Sequence, residues 1–189
     1  MADISGTYEL GPGDGRVLVK TGREGLAARA GHDLTLEITR WSARLTVPDP
    51  DDLAAATVTA ELDLGSLTVR EGSGGAKPLT DRDRRDIEAQ ARKILGEPRQ
   101  ATFTSAKVIP PAAEAAADGA VEGTLTLHGA TQPLRLQVTS LAAGRYRGAA
   151  TIRQTDFGIT PYSGFFGTLK LKNEISVEFE VSIQNGGQS

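Results

Sequence analysis

The feature that most limits this chain's fold is a run near its end. There Ile175, Val177, Phe179, Val181 and Ile183 alternate strictly with Ser176, Glu178, Glu180 and Ser182. A period of two sends successive side chains to opposite faces of a strand, so this segment has one buried face and one wet face. The pattern recurs upstream. Leu34, Leu36 and Ile38 alternate with Thr35, Glu37 and Thr39, and Trp41, Ala43, Leu45 and Val47 alternate with polar residues. Val58, Ala60, Leu62 and Leu64 repeat it again. Between Ile38 and Trp41 the spacing becomes three, the offset that a β-bulge or tight turn introduces.

Further strands are expected over residues 16–21, 101–109, 121–128, 133–141, 146–153, 168–172 and 173–184. Residues 10–16, 48–52 and 128–132 read as turns, and 71–77 as a flexible loop. Residues 110–119 are a low-complexity connection, and residues 22–31 fit more than one reading. One stretch is different. Ile87, Ala91, Ile94 and Leu95 recur at helical spacing, opposite a charged face running from Asp81 to Lys93. Thr80 with Asp83 has the form of a capping box, and Gly96 and Pro98 end the helix. The expected fold is therefore all-β: an eight-stranded antiparallel, lipocalin-like barrel with one amphipathic helix, about residues 80–95, beside it. A barrel of about eight strands is just wide enough to be filled by side chains or to hold one small ligand.

The 189 residues fit one domain over residues 1–184, with a disordered tail at 185–189. The absence of Cys excludes disulfides, thiolate metal sites and Cys nucleophiles. The net charge of −3 is spread over interspersed acids and bases, so there is no footprint for nucleic acid. No apolar run approaches the ~18 residues of a membrane span. The first residues carry no basic segment followed by an apolar core, which points to a cytoplasmic product.

Catalytic motifs are missing. His32 and His128 are the only histidines, without the spacing a metal centre needs, so no metal and no cofactor is expected. Asp156-Phe157-Gly158 lacks the companion segments of a kinase; Asp156 reads as a turn cap and Phe157 as an inward-packed ring. Ser163 is not in a nucleophile elbow. What remains is apolar. Phe157, Tyr162, Phe165 and Phe166 crowd beside several glycines as a core plug or the lip of a pocket. Leu34, Leu36, Ile38, Trp41, Phe103, Phe157, Tyr162, Phe165 and Phe166 are the candidate lining of a tunnel walled by aliphatic strand faces. Each methylene moved out of water is worth ~0.8 kcal/mol, so a lipid can be held with almost no polar signature.

Three segments also carry a family likeness. They are Gly123 to Val138 (GTLTLHGATQPLRLQV), Ile152 to Ile159 (IRQTDFGI), and Leu64 to Phe103, where SLTV is followed by a helix and then P-x-x-x-T-F. In this order they resemble the YceI-like family of lipocalin-like lipid- or polyisoprenoid-binding proteins. The resemblance implies an eight-stranded barrel with a helix beside it, an isoprenoid or fatty lipid ligand in an apolar tunnel, and a homodimer. The sequence departs from the family pattern at Glu88, where members commonly have His, and at Gln154-Thr155 before Asp156. The leading expectation is a non-enzymatic lipid binder. Two alternatives stay open: a barrel enzyme using His32, Asp33 or Asp156, and an interaction module presenting residues 81–93.

Overall fold

The computed structural model describes residues 5–112, 118–142 and 144–183. In chain order the elements are β1 (Gly6–Leu10), β2 (Gly15–Glu24), β3 (Asp33–Ile38), β4 (Trp41–Val47), β5 (Thr57–Asp63) and β6 (Leu67–Ser73). Then come helix α1 (Asp81–Leu95), β7 (Gln100–Ile109), β8 (Asp118–Leu127), β9 (Ala130–Ala142), β10 (Arg145–Arg153), β11 (Ser163–Gly164) and β12 (Leu169–Ser182). The tail expected at 185–189 lies outside the described residues, as does much of the connection at 110–119.

Eleven of the twelve strand segments make eight barrel strands, because three long strands are each broken in two; the short β11 pairs only with β12, off this path. β3 and β4 are separated only by Thr39 and Arg40, and the hairpin they form with β5 and β6 runs through the break. Trp41 pairs with Leu62 on one side of it and Ile38 with Leu67 on the other. β1 and β2 likewise follow the same partner, with Leu10 opposite Ala43 and Val17 opposite Ile38. Neighbouring strands then pair antiparallel from β5 through β7, β8, β9 and β10 to β12, and β12 returns to β2. This up-and-down meander closes on itself and so removes most of its edges.

The offset read between Ile38 and Trp41 is the kink between β3 and β4. It is fixed by Ser66, which is 5% exposed and is the only buried polar residue among those described. The Ser66 hydroxyl donates to the Asp63 carbonyl at 2.6 Å and accepts the Arg40 N–H at 2.9 Å. Thr39 adds a bond to the Ser66 carbonyl at 3.1 Å.

Several boundaries differ from the expectation. β1 was not anticipated. The two strands expected at 168–172 and 173–184 are one, β12, whose register shifts between Leu171 and Ile175. The β8–β9 turn is two residues, His128 and Gly129, both at positive φ, which matches the twist of a tight hairpin. Asp156 makes no capping hydrogen bond among the described residues; Asn173 holds the turn instead, accepting the Thr155 N–H at 3.0 Å.

Helix α1 begins as expected, with Thr80 and Asp83 forming both halves of a capping box. Its charged face is not simply solvated, however. The Glu88 carboxylate accepts the Val69 N–H at 2.9 Å, and Arg84 donates to the Val69 and Arg70 carbonyls at 3.1 and 2.9 Å. These side chains occupy the open edge of β6, which with β1 ends the order of paired strands. The helix therefore stoppers one end of the barrel.

Candidate functional site

The inward faces do not meet in the middle. Ile175, Val177 and Phe179 point to the barrel axis, yet each is only part-buried, because it borders empty space. That space is a cavity of about 390 Å³. All five apolar residues of the alternating run, Ile175 to Ile183, line it, together with alternate residues of β4, β5 and β9. Among the described residues its wall holds no charged one; the polar groups of that lining are Gln154, the indole of Trp41 and the hydroxyls of Tyr8 and Tyr146.

A second cavity of about 440 Å³ lies between α1 and the barrel. Ile87, Ala91, Ile94 and Leu95 of the helix form one side, and Leu34, Leu36, Leu169, Leu171 and Ile175 form another. Val19, Leu67, Leu95, Gln154 and Ile175 border both cavities, so the two share a wall. Both volumes fall in the ~300–1,000 Å³ usual for ligand sites.

The helix-side cavity has more polar character. Thr21 Oγ1 is buried and has no hydrogen-bond partner among the described residues. Arg23, also on this wall, is engaged: it donates to the Gly31 carbonyl and its Nε lies 3.7 Å from Asp33. His32 gives its Nε2 proton to the Lys77 carbonyl at 2.8 Å, since a carbonyl can only accept. Gln154 donates to the Lys172 carbonyl at 2.9 Å at the junction of the two spaces.

The residues singled out from sequence fall into three groups. Leu34, Leu36 and Tyr162 border the helix-side cavity, and Ile38, Trp41 and Phe103 border the barrel cavity. Phe157 is 4% exposed and sits in the packed core, lining neither. Phe165 and Phe166 line neither cavity and stand at the surface, 63% and fully exposed. Of the alternative catalytic candidates, Asp156 is on the outer surface and the Asp33 carboxylate is occupied by the Arg23 N–H at 3.0 Å. His128 bonds the Phe157 carbonyl at 3.1 Å. No group of three or more potential metal ligands occurs among the described residues. No described helix is long and apolar enough to cross a membrane.

Sequence reasoning missed Gln154, Thr21 and the helix residues Ile94 and Leu95 as lining. The helical stripe signalled a buried face, but not that the face covers a void.

The fold and site thus define a closed meander barrel with an apolar interior, stoppered by a helix. The profile of the YceI-like domain matches residues 18–183, and the chain belongs to that family. A search of curated proteins returns no match. Among solved structures, Burkholderia cenocepacia BcnA is similar in fold, with a TM-score of 0.61 at 17% identity, over 89% of this chain and 96% of that one. A polyisoprenoid binding domain from Saccharophagus degradans, implicated in plant cell wall breakdown, superposes with a TM-score of 0.52 at 14% identity, over 94% of this chain and 98% of that one.

Proposed function

We propose that this protein binds, stores or carries a long apolar lipid, a polyisoprenoid or similar amphiphile, without transforming it. The observation that carries the reading is the uncharged barrel cavity of about 390 Å³, continuous in its lining with the helix-side cavity. A tail in the barrel gains ~0.8 kcal/mol per methylene removed from water. The head group then lies toward α1, where Thr21 Oγ1 lacks a partner among the described residues and the amide of Gln154 marks the junction. The name of the Saccharophagus domain agrees with this choice of ligand. The test is solvent extraction of the purified protein with mass spectrometry, followed by loading of the stripped protein with a long-chain isoprenoid. Recovery of one apolar lipid per chain is expected. Failure to retain any lipid, native or added, would refute the reading.

A further inference from the structure

We propose that the rim formed by residues 24–30 and 163–172 docks on a lipid bilayer bearing anionic head groups, and that cargo enters and leaves there. The proposal rests on the lipid-binding reading for its purpose, but its evidence is separate. Of the four large apolar side chains exposed among the described residues, three are on this rim: Leu26, Phe165 and Phe166. The two loops that carry them are joined, since the Ala27 N–H bonds the Thr168 carbonyl at 2.9 Å and Thr168 bonds back to the Phe165 carbonyl at 2.7 Å. Phe165 and Phe166 both have positive φ, an uncommon conformation for aromatic residues, and it holds the loop with both rings in solvent.

The rim is continuous with the helix-side cavity. Gly31, Tyr162, Leu169 and Leu171 belong to these same loops or follow directly from them, and all four line that cavity. An apolar cargo leaving it there meets Leu26 and the two phenylalanines before it meets bulk water. The rim's charges fit an anionic surface: Arg29, Lys170 and Lys172 are exposed and make no ion pair among the described residues, against the single acid Glu24. Apolar side chains on loop tips flanked by cations are what a bilayer interface accepts, the rings entering the acyl boundary and the cations meeting phosphate.

The test is co-flotation of the full chain, stripped of lipid, with vesicles of phosphatidylcholine, with and without phosphatidylglycerol. Flotation is expected, stronger with phosphatidylglycerol and weakened by salt. The L26S/F165S/F166S variant is expected to partition at least about tenfold more weakly. The K170A/K172A variant is expected to lose the preference for the anionic lipid. Because these positions are exposed, the variants keep the parent melting temperature and the same capacity for isoprenoid added from detergent. That capacity is scored apart from flotation, so a barrel that floats yet takes up no lipid defeats the lipid-binding reading alone. The docking proposal is overturned if the parent fails to float or the triple variant floats like the parent. It is also overturned if the triple substitution converts a dimer to a monomer by sedimentation while leaving flotation unchanged.

Discussion

The Glu88 carboxylate on α1 accepts the backbone N–H of Val69 on β6 at 2.9 Å. One turn earlier, Arg84 donates to the carbonyl of the same Val69. An i, i+4 pair on a helix thus takes the place of a neighbouring strand, and part of the charged face is a structural contact. Reversing the charge of Arg84 would therefore disturb the barrel as well as the helix surface.

Replacing Glu88 with Ala leaves the Val69 N–H without its acceptor. The expected cost is about 1–3 kcal/mol, a bond to a charged acceptor being worth that much. For a chain of this size the melting temperature should drop by several degrees, about 2–4 °C per kcal/mol. Glu88→Gln keeps an acceptor and should cost less. Hydrogen exchange at Val69 is the direct check, with acceleration expected in the Ala variant.

Ser66→Ala removes the hydroxyl that satisfies Arg40 N–H and Asp63 C=O inside the β3–β4 kink. The expected loss is about 1–3 kcal/mol, measured by urea denaturation. A cost near zero would mean that the kink is held by the strand pairs on either side and not by this residue.

The pH dependence follows from the same corner. The hydrogen bond from Arg40, opposed by some burial and aided by the Gly65 N–H, holds the Asp63 carboxyl below its ordinary value. Asp83, through its bond to Thr80, and Glu180, through Arg145 and then Arg147, are also lowered. Lowered carboxyls stabilise the fold fully above their unfolded pKa, and the contribution is lost as pH falls through the folded values. The melting temperature is expected to be flat near neutrality and to decline below about pH 4. Asp63→Asn should lower the plateau and flatten the decline.

Ala60 lies on the barrel wall opposite Phe103 and borders the cavity. Ala60→Phe places a ring in that space. Circular dichroism should be unchanged, with stability altered by no more than about 1–3 kcal/mol, while isoprenoid capacity falls at least about tenfold. Unchanged capacity would move the cargo out of the barrel.

Much of this was legible in the residues. The alternation from Ile175 to Ile183 specified an inward face, and every apolar member of it lines the barrel cavity. The Ile38–Trp41 spacing marked the kink, and Thr80 with Asp83 marked the helix start. What stayed hidden depends on distant pairing. Alternation shows which side chains share a face, but not whether facing walls touch. β12 read as two strands because Lys172, Asn173 and Glu174 interrupt its period. Phe165 and Phe166 read as a core plug or the lip of a pocket, and nothing in the composition signals that they stand exposed, at positive φ in the turn before β12. The His32 bond to Lys77 spans 45 positions and has no local signal.

Trp41 is the only tryptophan in the chain and borders the barrel cavity, so it is a built-in reporter of occupancy. Titrating lipid-free protein with a long-chain isoprenoid while following its emission tests the hollow interior directly. A saturable change at one ligand per chain, lost in the Ala60→Phe variant, is the expected result. Emission that stays constant through the titration, while the fold remains intact, would contradict a lipid-filled barrel.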